Sequence, residues 1–255
     1  MSLPVFVLNL PRDGARRERM TAELARVGLD GHFIDGVDAG TLSQADWDRY
    51  DRSRCRAIYG VDMLATELAC YLAHERIFRK IVDENIDAAL ILEDDCQIAN
   101  DLPSVLDALM ATPPAARLWQ VVRLSTMREG KISAQARRLR PLRRLGDDRG
   151  LYRVHTHVLG LQGYVMTAAG ARRMLDYGRK IFMPIDHTLD RYWENRITPF
   201  IVHPCPVVHH DEGHSTIGER DPRRRTALGL GGRWVRRVNR WRDGVGKRLY
   251  NALHP

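Results

Sequence analysis

The sequence predicts an α/β fold: a central, mostly parallel sheet flanked by helices, followed by a basic C-terminal tail. Short β-branched and aromatic runs alternate with longer segments of helical spacing. The run Ala88-Ala-Leu-Ile-Leu92 is apolar without polar alternation, the pattern of a strand buried on both faces. The chain has 255 residues, 44% apolar and 28% charged, which suits one α/β domain and excludes disorder as its main state.

In chain order, residues 4–10 (PVFVLNL) read as a strand, 11–14 (PRDG) as a loop and 15–28 as a helix. Residues 32–38 (HFIDGVD) form a second strand candidate closed by Ala39-Gly40. A helix over 64–85 carries Leu68, Leu72, Ile77 and Ile81 on one flank and leads into the buried strand at 88–92. A short helix at 103–110 and a strand at 118–124 follow. Residues 128–150 are dense in Lys and Arg and contain Gly130, Pro141, Gly146 and Gly150, so they read as a loop or lid. The body closes with a strand at 158–167 interrupted by Gly160 and Gly163, helices at 168–177 and 186–195, and a strand at 199–208.

Cys55, Cys70, Cys96 and Cys205 are far apart with no C-x-x-C pair, which argues against a disulfide framework or a thiolate zinc module and fits a reducing compartment. The apolar run near the N-terminus contains a proline, has no basic residue before it and is too short for a signal peptide. No segment approaches about 20 consecutive apolar residues. A cytoplasmic protein is expected, with any membrane contact made at a surface. The net charge of +8 is not spread evenly: residues 220–255 hold 11 basic and 2 acidic groups, which leaves residues 1–219 nearly neutral. The sequence therefore divides into a body, 1–219, and a basic tail, 220–255.

Glu93-Asp94-Asp95 places three successive carboxylates at the carboxyl end of the buried strand, where ligands of open α/β sheets bind. Strand alternation would send Glu93 and Asp95 to one side and Asp94 to the other. Adjacent anions in a partly buried cleft repel, so keeping both ionised favours a cation, and carboxylate oxygens suit Mg²⁺ or Mn²⁺. A solvated acidic turn is the competing reading.

Several blocks together resemble glycosyltransferase family 25, which includes lipooligosaccharide and collagen galactosyltransferases. They are Val5-Phe-Val-Leu-Asn9-Leu10 with Arg12, Arg16-Arg17 and Met20; Phe33-Ile-Asp35-Gly-Val-Asp38; Glu67-Leu-Ala-Cys70-Tyr-Leu-Ala-His74; Leu90-Ile-Leu-Glu93-Asp94-Asp95; Gly163-Tyr-Val-Met with Gly170-Ala171; and Pro184-Ile-Asp186-His187. Each block is weakly specific, and their order and spacing carry the likeness. Ala69 and Ala73 depart from the glycine and serine usual in the Cys/His block.

The resemblance implies a GT-A-like fold, a UDP-sugar donor such as UDP-galactose, a divalent metal (Mn²⁺ or Mg²⁺) and inversion at the transferred sugar. It implies direct metal binding by Asp95, with Glu93 on the metal or the donor and Asp94 beside the donor. Asn9, Arg12 and Arg16 follow the first strand, where base, ribose or phosphate is expected. Arg12 can pair with a diphosphate or be a solvated loop cation. Asp38 is a ribose or uracil candidate, or a turn-initiating aspartate. His74 shares a helix face with Glu67 and Cys70 or Tyr71, as a donor contact or as a packing histidine. Inversion needs a base for the acceptor hydroxyl: Asp186 is the first choice and Asp190, four residues on, the reserve. His203, His209, His210 and His214 cluster before Ser215 and Thr216. His209 is taken as a metal ligand, and the two hydroxyls as donors to phosphate.

Trp234, Val238, Trp241, Val245, Leu249 and Leu253 fall at helical spacing among arginines, as in a helix lying on an anionic membrane or packed on the domain. The expected partners are thus a UDP-sugar, a lipid-linked lipooligosaccharide or lipopolysaccharide acceptor and the cytosolic face of the inner membrane. An anionic-surface or nucleic-acid-binding module is the alternative that the tail suggests. A basic body and aromatic platforms are missing for nucleic acid, so none is expected. A metal-dependent phosphohydrolase or nucleotidyltransferase would rest on the acidic cluster alone.

Overall fold

The computed structural model describes residues 3–210 and 230–254. Its strands are β1 (Val5–Asn9), β2 (His32–Asp35), β3 (Ala88–Glu93), β4 (Cys96–Ile98), β5 (Val121–Arg123), β6 (Arg143–Arg144), β7 (Gly150–Arg153), β8 (Gly163–Thr167), β9 (Phe200–His203) and β10 (Val207–His209). The helices are α1 (Gly14–Arg26), α2 (Gln44–Asp48), α3 (Arg52–Ile58), α4 (Ala65–Asp83), α5 (Leu102–Met110), α6 (Glu129–Ala136), α7 (Ala168–Tyr177), α8 (Ile185–Leu189), α9 (Tyr192–Asn195) and α10 (Leu230–Leu253).

Eight strands form one sheet in the order β2-β1-β3-β8-β5-β9-β7-β6, and β4 and β10 form a separate ribbon. β1 runs parallel to both β2 and β3, and β5 runs parallel to β9. β8, however, lies antiparallel between β3 and β5, and β7 is antiparallel to β9 and to β6. The sheet is therefore mixed, where a mostly parallel one was expected. The alternation of strands and helices indicates layers but not the direction in which a non-adjacent strand inserts.

The alternation of β1, β3 and β8 builds two cores. Phe6, Leu8, Ala89, Ile91, Tyr164 and Met166 face α4 and α7 in one, while Val5, Val7, Ala88, Leu90, Leu92 and Val165 face α1 and α5 in the other. A strand that serves both cores must be apolar at every position, which is why β3 has no polar alternation.

Four local expectations change. Residues 128–150 are not all loop: α6 forms where Ile132 and Ala136, four apart, are buried, and β6 pairs with β7. The strand expected at 158–167 begins only at Gly163, because Leu159 and Gly160 take positive φ values of 53° and 73°. The helix expected at 186–195 is two short ones, α8 and α9. The strand expected at 199–208 splits into β9 and β10, which join different sheets.

α10 lies against α3 and α9. Arg191 grips Asp243 with two bonds of 2.9 and 2.6 Å, the Asn239 amide donates to the Ala57 carbonyl, and Tyr250 is buried. The opposite face exposes Trp234, Trp241, Leu249 and Leu253. Among the described residues no helix is long and apolar enough to cross a membrane.

Candidate functional site

A cleft of about 810 Å³ opens at the carboxyl ends of β1 and β3. It is lined by Asn9, Arg12, Arg16, Cys70, His74, Glu93, Asp94, Asp95, Asp186 and His209, together with Gly160, Leu161 and Gln162, whose segment bonds to both Glu93 and Asp186. The acidic triplet sits here because β3 ends at Glu93 and the chain turns through Asp94 and Asp95 into β4. Strand alternation stops with the strand, so all three carboxylates line one cleft and Asp94 does not point away.

Each acid has its own partners. Glu93 Oε1 lies 3.2 Å from His74 Nε2, and His74 Nδ1 lies 2.8 Å from the Tyr164 hydroxyl. His74 is fully buried with both ring nitrogens engaged, so it orients Glu93 rather than offering a free nitrogen to a ligand. Cys70, one turn earlier on α4, completes a group in which Cys70, His74 and Glu93 hold their ligand atoms within 4.8 Å of one another. Burial, and then Glu93, push the Cys70 thiol well above its usual range.

Asp94 accepts from Asn9 Nδ2 at 2.7 Å and from Arg16 Nη1 at 3.2 Å. Burial raises its pKa, and those two contacts oppose the rise. Asn9 is itself buried and also donates to the Asp13 carbonyl at 3.3 Å.

Asp95 is the least satisfied. Its Oδ1 is buried and accepts no hydrogen bond, while Oδ2 lies 3.6 Å from His209 Nδ1 and 4.0 Å from Arg16. Burial, then repulsion from Glu93, raise its pKa to about 6 against the pull of His209. A buried carboxylate oxygen without a partner is costly, and a divalent cation relieves that cost. Carboxylates with one imidazole are a donor set of the kind that suits Mn²⁺ or Mg²⁺; Asp95 and His209 already lie 3.6 Å apart, while Glu93 converges within 4.8 Å on Cys70 and His74.

The β4–β10 ribbon explains why His209 is the histidine at the cleft. His209 pairs with Cys96, the residue after Asp95, and the His210 amide donates to the Asp95 carbonyl at 2.7 Å. His203 lies elsewhere, 3.6 Å from Glu129. His214, Ser215 and Thr216 lie outside the described residues.

Arg12 is at the rim, exposed and paired with Asp38. Asp38 lies beyond the end of β2, caps a short turn through the Gly40 amide at 2.9 Å and is not part of the cleft lining.

Asp186 and Asp190 separate. Asp186 lines the cleft, and its carboxylate accepts from the amides of Gly160 at 3.2 Å and His187 at 2.8 Å. Asp190 is buried outside the cleft lining and accepts from the amides of Val158 and Leu159, both at 2.8 Å, with Arg123 3.7 Å away. Burial raises its pKa to about 6, with Arg123 opposing. Asp190 does stay on the Asp186 side, its amide donating to the Asp186 carbonyl at 3.1 Å, but there its carboxylate is buried against the Val158 and Leu159 amides and does not line the cleft.

Sequence reasoning missed the 158–162 segment, which the expected strand had absorbed. Asp190 holds its amides, Arg123 donates to the Gly160 carbonyl, and Thr126 Oγ1 donates to the Val158 carbonyl at 2.6 Å. Gly160, with its positive φ, was the available signal.

A family model described as "Glycosyltransferase family 25 (LPS biosynthesis protein)" matches residues 2–189. Relatives include "Inactive glycosyltransferase 25 family member 3" of Homo sapiens, 30% identical over 47% of this chain and 21% of that protein. "Procollagen galactosyltransferase 1" of Danio rerio is 26% identical over 72% of this chain and 30% of its own length. "Procollagen galactosyltransferase 1-A" of Xenopus laevis is 24% identical over 79% and 33%. The chain thus spans only about a fifth to a third of the length of these relatives. One solved structure, a "glycosyltransferase involved in the glycosylation of the major capsid of PBCV-1", overlaps 84% of this chain and 95% of its own at 9% identity, with a TM-score of 0.45.

Proposed function

Because the chain belongs to glycosyltransferase family 25, we propose that it transfers a hexose, most simply galactose, from a UDP-sugar to a saccharide acceptor with inversion. The observation that carries this reading is the cleft in which three consecutive carboxylates converge, one of them with a buried, unpartnered oxygen. Asp95, with Glu93 and His209, would hold a divalent cation. That cation supplies positive charge where the leaving diphosphate becomes negative.

The chain's own residues do the rest. His74 and Tyr164 fix Glu93, while Asn9 and Arg16 fix Asp94, so the acidic turn is set before substrate arrives. Arg12 at the rim can leave Asp38 for a phosphate, since exposed ion pairs are weak. Asp186 is the base: it lines the cleft, and its two oxygens accept one backbone amide each, which leaves acceptor capacity for a hydroxyl. As the acceptor oxygen bonds to the anomeric carbon, the hydroxyl proton passes to Asp186, the carbon–oxygen bond to the diphosphate breaks, and UDP leaves with that electron pair.

The acceptor reading is a lipid-linked lipooligosaccharide or lipopolysaccharide saccharide at the cytosolic face of the inner membrane. It is supported by α10, whose outward face carries Trp234 and Trp241, 68% and 69% exposed, among arginines. The decisive assay incubates a panel of UDP-sugars with and without Mn²⁺ and chelator and measures UDP and free sugar. The expected result is Mn²⁺-dependent UDP release with one hexose donor, lost in Asp95→Asn. Folded protein that turns over no donor, or an Asp95→Asn variant with full turnover, overturns the reading. Cleavage of nucleotide phosphates without release of sugar would instead favour a phosphohydrolase or nucleotidyltransferase.

A further inference from the structure

A second side-chain cluster, distinct from the cleft, joins the end of β9 to α6. Glu129, His203 and Cys205 hold a carboxylate oxygen, an imidazole nitrogen and a sulfur all within 4.8 Å of one another. His203 Nδ1 is buried, accepts or donates no hydrogen bond, and lies 3.6 Å from Glu129 Oε1. Around a tetrahedral zinc ion with bonds of about 2.0–2.3 Å, neighbouring ligand atoms stand roughly 3.3–3.7 Å apart. The His–Glu separation already meets that spacing, and Glu129 is exposed enough to adjust for the sulfur.

The surroundings are arranged for such an ion. His203 and Cys205 flank Pro204, whose carbonyl accepts from Arg149 Nη1 at 2.6 Å, so the short connection between the two ligands is anchored. Ser133 Oγ donates to Glu129 Oε1 at 2.8 Å, an outer contact that orients the carboxylate. The nearby cations do not repel a metal unopposed: Arg149 is paired with Asp101 through two bonds of 2.6 and 2.9 Å, and Arg123 faces Asp190. A Cys thiolate and a Glu carboxylate together balance a doubly charged ion. Sulfur, imidazole and one carboxylate form a softer set than the acidic turn of the cleft and favour Zn²⁺ over Mg²⁺.

We propose that Glu129, His203 and Cys205 form a zinc site with one coordination position left to water, separate from the cleft. Binding replaces the Cys205 S–H bond with a sulfur–zinc bond and releases the proton to solvent. Because the ligating species is the thiolate, zinc uptake strengthens with rising pH. The ion ties α6 to the segment that runs on into β10 and His209. A pairwise cysteine rule misses the site because it uses only one sulfur.

The test uses the full chain after chelation and dialysis. Titration with Co²⁺ should give a near-ultraviolet sulfur-to-cobalt charge-transfer band that saturates at one equivalent, and Zn²⁺ should displace it. Cys205→Ser should abolish the band, whereas Cys70→Ser, which alters the cleft thiol, should keep it. His203→Gln should weaken zinc at least about tenfold, the loss that even outer-shell changes cause. Far-ultraviolet circular dichroism checks that each variant is folded, and a zinc-dependent rise in melting temperature, present in the parent and absent in Cys205→Ser, gives an independent readout. No band in the parent, a band lost in Cys70→Ser, or unchanged zinc affinity in Cys205→Ser overturns the proposal.

Discussion

Replacing Asp95 with asparagine should stabilise the metal-free protein while abolishing its response to Mn²⁺. The Asp95 side chain is 19% exposed, its Oδ1 is unpartnered, and its pKa rises from about 3.9 in an unfolded chain to about 6 in the fold. Because the folded value lies above the unfolded one, the charged group costs stability above pH ~6. The cost shrinks as the pH falls through that window and disappears below pH ~4, where both states are protonated. At about 1.4 kcal/mol per pH unit, the full cost is roughly 3 kcal/mol. The asparagine amide carries no charge, so at pH 8 with chelator the variant should be about 1–3 kcal/mol more stable, a rise of several degrees in melting temperature. That advantage should vanish by pH 4. Saturating Mn²⁺ reverses the order: parent protein at a hundredfold excess over Kd gains about 2.7 kcal/mol, and the variant gains little. Urea unfolding at pH 8, 6 and 4, with and without Mn²⁺, measures each quantity. A variant no more stable than its parent at pH 8 without metal, or equally stabilised by Mn²⁺, would refute the assignment of Asp95.

Asp186→Asn should lower hexose transfer about 10²- to 10⁴-fold with the Kd for UDP-sugar nearly unchanged, as checked by steady-state kinetics and calorimetry. Asp190→Ala leaves two buried amides and the Arg123 charge without their acceptor and should cost about 3–5 kcal/mol in urea unfolding. If it leaves stability unaltered, Asp190 does not anchor the 158–162 segment. Replacing both Trp234 and Trp241 with alanine should reduce sedimentation with anionic vesicles while leaving transfer to a soluble acceptor intact. Equal vesicle binding by parent and variant would exclude the exposed face of α10 as a membrane contact.

What could be read from the sequence was local. β3 declared itself because both its faces are buried, and α4 because Leu68, Leu72, Ile77 and Ile81 repeat at helical spacing. What could not be read depended on partners distant in the chain. Nothing near residue 163 says that β8 enters antiparallel between β3 and β5, and nothing near residue 207 says that β10 leaves the main sheet to pair with β4. That pairing is what brings His209, the one taken from the run of histidines, to the cleft beside Asp95. The sequence offers Asp190 as a reserve base, and its anchoring role escaped for the same reason: the amides it accepts lie 31 and 32 residues earlier, on a segment whose glycine was read as a strand interruption. The arginine density of residues 128–150 concealed α6, whose buried positions, Ile132 and Ala136, are too few to outweigh it in a linear reading.

Three adjacent carboxylates would be expected to share one fate, yet the fold gives each a different one. Glu93 belongs to the strand and meets a fully buried histidine; Asp94 turns to an amide at the end of β1 and a guanidinium on α1; Asp95 reaches the ribbon, where an imidazole at 3.6 Å and the Arg16 guanidinium at 4.0 Å both approach Oδ2 and leave Oδ1 without a hydrogen bond. Two of the three are therefore held by the protein's own donors, and one is left with an unsatisfied oxygen. A site that satisfied all three internally would have no reason to take up a cation, and one that satisfied none would not hold its charges together in a cleft. The turn at the end of β3 lies between these cases, since the strand direction changes where alternation would have separated the acids.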